Sequence, residues 1–308
     1  MSLLLVAVGA VLLYVGGDLL VKYSVNLARH FNLSPLVVGL TVVAFGTSAP
    51  ELAATLASTL SGAPGIALGN ILGSNAANVG LILGVTALLY PLQGSRAFVR
   101  RELPLGVAAV LVLVPLLLNG VLGRLEAALL LALLGAYLTL LVKSAKSEAE
   151  LTGDLPEAPS SPLWRSLLLI VLSVGLLVVG ARVLITGAVA TAQALGVPEK
   201  VIGFTLVAFG TSLPELASSV AAALRKETDI ILGNIAGSNL FNVLAVLGVT
   251  GIFTPLAEPF VNLRLDILVT ALFSAALLAL MLRTNRLGRT GGTLLLVGYL
   301  SYVVYLFV

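Results

Sequence analysis

Apolar residues fill this 308-residue chain in long unbroken blocks, at 3–17, 104–118, 127–142, 167–181, 265–282 and 293–308. None of them alternates with the period of two that a membrane β-barrel requires. A helix that crosses the hydrocarbon core needs about 20 mostly apolar residues. The pattern therefore predicts an all-α polytopic membrane protein with ten transmembrane helices. They fall at about 2–22, 33–61, 65–91, 102–119, 123–143, 163–187, 197–224, 228–254, 262–283 and 290–308. One stretch is soluble in character, SAKSEAELTGDLPEAPSSP at 144–162, and its Ser, Glu and Pro suit a flexible linker. The organisation expected is a first five-helix unit at 1–143, a linker at 144–162 and a second five-helix unit at 163–308.

The two units share a phrase. FGTSAPELA begins at Phe45 and FGTSLPELA at Phe209, a separation of 164 residues. The same separation links Gly39 with Gly203, Gly69 with Gly233, Ser74 with Ser238, Asn78 with Asn242 and Pro91 with Pro255. Residues 39–53 and 203–217 are identical at 12 of 15 positions, and 66–80 and 230–244 at 10 of 15. Leu- and Val-rich sequence produces chance matches of Leu and Val, but not an ungapped alignment of Thr, Ser, Pro, Glu and Asn. This is an internal duplication. With five spans in each copy, the second copy enters the membrane from the opposite side, which gives two inverted repeats with broken helices 2 and 7. Many secondary transporters have this architecture, with the binding site at the midplane.

Composition agrees with a membrane chain. Hydrophobic residues make up 59%, mean hydropathy is +1.12, and only 10% of residues are charged, against about 25% in a soluble domain. Loops after odd-numbered spans carry 13 of the 17 Lys and Arg, the other side only Arg124, Arg182, Lys200 and Arg264. The positive-inside rule then puts the 144–162 linker in the cytoplasm and both termini outside. The opening MSLLLVAVGA lacks a basic n-region and reads as the first helix rather than a signal peptide. The chain has no Cys and one His, His30, so thiolate chemistry is excluded.

Each GTSxPE phrase lies inside an apolar stretch. Pro50 and Pro214 cannot continue a helix through their positions, and Gly46 and Gly210 loosen the backbone just before them. Each span is expected to be two half-helices joined by an unwound turn. Ser48 with Glu51, and Ser212 with Glu215, have capping-box spacing. Such a break frees carbonyls, here most readily those of Ala44 and Thr47 and of Ala208 and Thr211. Unsatisfied, each costs several kcal/mol in hydrocarbon, and a cation would satisfy them. An ionised carboxylate at mid-membrane costs roughly 3 kcal/mol or more. With no Lys or Arg nearby in sequence, Glu51 and Glu215 call for a metal ion or a proton. The following spans carry LGNILGSNAANVG and LGNIAGSNLFNVL. In these, Ser74 and Asn78 share one helix face, as do Ser238 and Asn242. Gly69, Gly73, Gly233 and Gly237 follow small-xxx-small spacing, which lets helices approach closely. Two carboxylates with Ser, Thr, Asn and peptide oxygens make an all-oxygen site, suited to Ca2+ or Na+. The absence of Cys and the distant His argue against Zn2+ or Cu+.

Plainer readings stand beside these. A single GTSxPE is equally well a kinked helix with a buried Glu, and only the matched second copy disfavours that. Asn70, Asn75, Asn234 and Asn239 lie on other faces and read as structural. Asp18 and Lys22 are spaced to neutralise each other on one helix. His30 reads as solvated, Arg182 as snorkelling to the outer surface, and Arg96, Arg100 and Arg101 as a topology signal. Trp164, Tyr299, Tyr302 and Tyr305 read as interfacial anchors.

On the GTSxPE and GNxxGSN stretches, at 39–84 and 203–248, the sequence resembles the sodium/calcium exchanger family of the cation/Ca2+ antiporter superfamily, in its compact prokaryotic form. The resemblance implies that Glu51 and Glu215 are carboxylates shared by Ca2+ and Na+, with the Thr47 and Thr211 carbonyls completing the Ca2+ shell. It implies flanking Na+ sites at Ala44, Ala208, Ser48, Ser212, Ser74 and Ser238, with Asn78 and Asn242 at the centre. Some relatives, potassium-dependent ones included, have Asp at the position of Asn242, so K+ dependence is not expected. The Ca2+/H+ branch resembles GNxxE where this chain has Gly73 and Gly237, which favours Na+ as the coupling ion.

The function expected is a secondary active antiporter exchanging Na+ for Ca2+ across the plasma membrane. Neither enzyme activity nor any cofactor is expected beyond the transported ions, and neither is a nucleic-acid partner. The lipid bilayer is the surrounding partner, and a single chain suffices. A Ca2+/H+ antiporter on the same fold is the alternative, followed by a cation channel. Last comes an intramembrane enzyme using Ser48 or Ser212, neither of which has a His, Cys or Lys near it in sequence to act as base.

Overall fold

The computed structural model describes residues 2–152, 158–197 and 210–306, with 146–152 as backbone only. The first half runs α1 (Ser2–His30), α2 (Pro35–Thr47), α3 (Ala49–Leu60), α4 (Pro64–Leu89), β1 (Leu92–Gln93), α5 (Leu103–Leu117), β2 (Val121–Leu122) and α6 (Arg124–Thr152). The second runs α7 (Leu163–Ala194), α8 (Leu213–Leu224), α9 (Thr228–Phe253), β3 (Leu256–Ala257), α10 (Phe260–Met281), β4 (Arg286–Leu287) and α11 (Arg289–Tyr305).

Among the described residues, six helices are long and apolar enough to cross a membrane, and the bent pair α2 and α3 makes a seventh. The remaining expected spans fall short for visible reasons. Helices α5 and α11 have 15 and 17 residues, α5 being extended at its start by a π-helical turn at Phe98–Glu102. Helix α8 has 12 residues, and most of the 197–212 half of that expected span lies outside the described residues.

Helices α4 and α9 are enclosed by the others. In their most apolar stretches 78% and 94% of residues are buried, against 22–33% in α1, α6, α7 and α10, whose Leu and Val side chains face outward. In a bilayer an outward apolar surface needs no partner.

Matched sequence gives matched backbone. Ser48 and Ser212 have φ/ψ of −80°/2° and −86°/3°. Tyr90 and Thr254, which end α4 and α9, have −144°/121° and −144°/120°. Helices α4 and α9 each contain a π-helical turn, at Asn78–Leu83 and Asn242–Val246. Another lies in α2 at Gly39–Val43. Strand β1 pairs with β4, and β2 with β3, both antiparallel, tying the ends of the two units together.

The buried apolar side chains form two clusters. The larger joins α4, α5, α6, α9 and α10. The smaller is built mainly from α1 and α7 through Leu13, Leu20, Leu27, Ile170 and Leu177, and reaches Val38, Val43 and Leu213. Helices α1 and α7 run antiparallel in close contact, because glycines let their backbones meet. A Cβ on Gly180 would lie 2.9 Å from the Leu13 nitrogen, and one on Gly17 would lie 2.8 Å from the Ala217 carbonyl of α8.

Three polar placements differ from expectation. Asp18 pairs with Arg225 at 2.6 Å rather than with Lys22, which sits over the Tyr23 ring. His30 places Nε2 2.7 Å from the Ser161 carbonyl, and Asn26 bonds Ser160, Ser161 and Ser166, so the end of the linker is docked onto α1. Arg101 does more than set topology. Its Nε reaches Oε1 of the fully buried Glu102 at 2.7 Å, and the Tyr137 hydroxyl donates to Oε2 at 2.9 Å. A buried carboxylate needs such partners; from the sequence, Arg101 is one of three basic residues with nothing to single it out.

At the α2–α9 contact, a Cβ on Gly237 would lie 2.6 Å from the Leu40 carbonyl and 2.7 Å from the Ala44 Cβ. Gly237→Ala is therefore expected to destabilise the purified protein by about 1–3 kcal/mol in thermal melts. Gly135→Ala, where a Cβ meets nothing within 4 Å, is expected to melt unchanged or up to about 1 kcal/mol more stably.

Candidate functional site

Pro50 has no N–H to offer the Gly46 carbonyl four residues earlier, so the helix cannot run straight through. The chain turns at Ser48 alone, and α3 leaves α2 at 42°. Pro50 then occupies the first turn of α3, where its missing N–H costs nothing, and Glu51 follows it. Leu213, Pro214 and Glu215 repeat this start in α8. The bend aims both carboxylates inward: Glu51 is 1% exposed and Glu215 0%.

The two halves interlock here. Glu51 lies beside Thr211 and Ser212 of the other half, and Glu215 beside Thr47, Ser48 and Glu51 itself. The Ser48 hydroxyl points across to Glu215 Oε1 at 3.5 Å. The Thr47 hydroxyl donates to Asn234 Oδ1 at 3.0 Å and lies 3.4 Å from the Ser238 hydroxyl. Asn234 is held in turn by its Nδ2 bonds to Ser218 and Ser219. Asn78 and Asn242 each open a π-helical turn, a feature often found at functional sites. Their amides donate to Asn239 Oδ1 and Asn75 Oδ1, at 2.9 and 3.0 Å.

Among the described residues seven buried side-chain polar atoms have no hydrogen-bond partner, and all are oxygens. Two, on Ser24 and Thr250, lie outside the expected set. The other five are Glu51 Oε2, Glu215 Oε2, Asn78 Oδ1, Asn242 Oδ1 and Thr211 Oγ1. Buried polar groups are nearly always satisfied, and carboxylate and amide oxygens accept only. Four of the five are acceptor-only oxygens lacking donors, drawn from α3, α4, α8 and α9, and the fifth is the Thr211 hydroxyl in the turn before α8; oxygens of these kinds are the ones a hard cation takes.

Of the twelve residues expected at the site, Glu51, Glu215, Thr47, Thr211, Ser48, Ser212, Ser238, Asn78 and Asn242 take part in these contacts or bear the unpartnered oxygens. Ser74 is buried one turn before Asn78 on α4, and Ala208 lies outside the described residues. The Ala44 carbonyl, expected to be free, accepts the Ser48 N–H at 3.0 Å and is 3.4 Å from the Thr47 hydroxyl, because the chain keeps its helical turn up to Ser48. The capping boxes do not form either. Neither Ser48 nor Ser212 caps its helix with its side chain, and Ser48 is turned toward Glu215 instead. Sequence reasoning took Asn75, Asn234 and Asn239 as structural and missed their contacts with site residues. The signal was present, since Asn75 and Asn239 recur at the repeat spacing with each other, and Asn234 with Asn70.

The sequence pattern of the family described as sodium/calcium exchanger protein matches residues 1–143 and 165–308. The chain is 38% identical over 312 residues to CaxA of Alkalimonas amylolytica, covering 98% of this chain and 97% of that one. It is 33% identical to the sodium/calcium exchanger MaX1 of Methanosarcina acetivorans, covering 99% and 98%. The fold matches the sodium-calcium exchanger NCX_Mj soaked with Na+ and Ca2+, with a TM-score of 0.85, 34% identity, and coverage of 98% and 97%.

Because Ser48 does not cap α3, Ser48→Ala is expected to shift the melting of the cation-free protein by less than about 0.5 kcal/mol, instead of the ~1 kcal/mol that losing a cap costs. A loss of the full cap energy in that melt would restore the capping role.

Proposed function

Because this chain belongs to the sodium/calcium exchanger protein family, we propose that it exchanges Na+ for Ca2+ across the plasma membrane through the Glu51–Glu215 site. At the coarser level it is a multi-pass cation/Ca2+ antiporter, a transporter rather than an enzyme. The observation that carries the finer reading is the set of four acceptor-only oxygens without donors, two from carboxylates and two from the amides of Asn78 and Asn242. Two negative charges match one Ca2+. With no His or Cys among them, the oxygens suit Ca2+ and Na+ alike.

Exchange follows from sharing. Ca2+ and Na+ compete for the same two carboxylates, so one must leave before the other binds. Any ratio above two Na+ per Ca2+ moves net charge and makes the cycle voltage-sensitive. The ligand set assigned to the ions is Glu51, Glu215, Thr47, Thr211, Ser48, Ser212, Ser74, Ser238, Asn78, Asn242, Ala44 and Ala208, with the Ala44 carbonyl acting through the lone pair not taken by the Ser48 N–H. Thr47 and Thr211 contribute by their carbonyls; the Thr47 hydroxyl is already given to Asn234.

The arrangement that goes with this reading is ten spans in two inverted five-helix repeats, 1–143 and 163–308, with the 144–162 linker cytoplasmic and both termini outside. The 164-residue offset, the mirrored Ser48 and Ser212 turns and the asymmetry of Lys and Arg support it. Alternating access comes from α1 and α7 sliding as a pair against the rest. In support, they share a separate apolar cluster and pack on each other through glycine contacts. Both halves of the site lie on one chain, so a monomer suffices.

The test is Ca2+ uptake into proteoliposomes loaded with Na+ and diluted into Na+-free buffer, with K+-loaded vesicles as control. Uptake is expected to require internal Na+, and to fall at least about tenfold in Glu51→Gln and in Glu215→Gln. Uptake driven equally by a proton gradient without Na+ would replace Na+ by H+ as the coupling ion. Full activity in both Gln variants would remove the site altogether.

A further inference from the structure

We propose that Asn75 and Asn239 are positioning residues, each holding the side-chain carbonyl of the other half's central asparagine toward the cation. Asn75 acts on Asn242, and Asn239 acts on Asn78. The inference rests on the reading above that Asn78 and Asn242 face the cation.

The argument is one of donors and acceptors. A primary amide has an end that only donates and an end that only accepts. Asn75 Nδ2 lies 3.1 Å from the backbone carbonyl of Asn239. A carbonyl only accepts, so that end of Asn75 is its nitrogen and the other end is Oδ1. Asn75 Oδ1 meets the Asn242 amide at 3.0 Å. Asn242 must therefore present its nitrogen to Asn75, which leaves its own Oδ1 on the opposite side, without a donor.

The mirror half repeats the logic. Asn239 Nδ2 is directed at the Asn75 carbonyl at 3.4 Å, and Asn239 Oδ1 accepts from Asn78 Nδ2 at 2.9 Å. Asn78 Oδ1 is left without a donor in the same way. All four side chains are at most 7% exposed, so water is not competing for them. Two backbone carbonyls thus fix, through Asn75 and Asn239, which way the amides of Asn78 and Asn242 point.

Reversed, either central amide would present N–H groups to a cation and repel it. The same arrangement favours an amide over an ionised carboxylate at 78 and 242, because a carboxylate there would oppose the Oδ1 of Asn239 or Asn75 with a second acceptor. That keeps the site at two carboxylates.

The test is Ca2+ binding to the purified protein in Na+-free detergent solution by calorimetry. Compared are the parent, Asn75→Ala, Asn242→Ala and the double variant. Asn75→Ala is expected to weaken Ca2+ binding by about tenfold, the lower end of the effect of removing a group that orients a ligand. Asn242→Ala is expected to weaken it at least as much. The double variant should be no weaker than Asn242→Ala, because Asn75 acts only through Asn242.

Parent-like affinity in Asn75→Ala overturns the proposal, as does a loss of the same factor in both backgrounds, which would mark Asn75 as structural. If Asn75→Ala does not fold, the mirror cycle of Asn239→Ala with Asn78→Ala asks the same question. Glu215→Gln is run alongside. Parent-like binding in that variant defeats the site reading itself, whereas its loss with an additive 75/242 cycle defeats the positioning alone.

Discussion

Two carboxylates buried side by side in the middle of a membrane protein are the constraint on which the rest depends. Glu51 and Glu215 are almost wholly enclosed, and each has an oxygen with no donor. Water cannot solvate them, and the nearest groups are hydroxyls, amides and each other. Such a pair is strongly unfavourable unless positive charge joins it. On the proposed reading, the bend at Ser48, the placement of Pro50 and the enclosure of α4 and α9 serve to bring oxygen atoms to this one place.

Duplication is what makes the delivery economical. A single copy supplies one carboxylate, one bend and one oxygen-bearing helix, which on the proposed reading is half of a coordination shell. Two copies that interlock supply the other half and also hold it. Residues expected at the site in each half are contacted by the opposite half: Ser48 reaches Glu215, Asn239 accepts from Asn78, and Asn75 accepts from Asn242. Cross-bonding of this kind means that neither half can shift at the site without disturbing the other.

Much of this was legible in the sequence because it rests on covalent chemistry and spacing. The missing N–H of Pro50, with Gly46 just before it, predicts the bend at Ser48, and the 164-residue offset exposes the duplication without any structure. What could not be read depends on which groups meet across helices. The i, i+4 spacing of Asp18 and Lys22 is correct geometry, but Arg225 offers Asp18 a contact from another helix. Ser48 and Glu51 have capping-box spacing, yet the single-residue turn at Ser48 sends the hydroxyl to Glu215. The π-helical turns at Asn78 and Asn242 have no composition signature, and they are set by packing. Asn75 and Asn239 were passed over for the same reason. A helix wheel places them off the ligand face, and only the opposite helix gives them something to hold.

The same physics bears on what separates the two access states. Asp18 and Arg225 form an ion pair joining α1 to α8, and both side chains are about one-third exposed. A pair in that setting contributes roughly 0–1 kcal/mol, too little to hold the α1 and α7 pair on one side. The apolar contact between that pair and the rest has no directional preference of its own. On the proposed reading, the stronger control is electrostatic. With the carboxylates bare, any movement that closes the site from water leaves two uncompensated charges in a medium where they cannot be screened. With one Ca2+ or two Na+ bound, closure traps a neutral cluster. An empty carrier is then held open and a loaded one is free to move, which is the condition for exchange rather than leak.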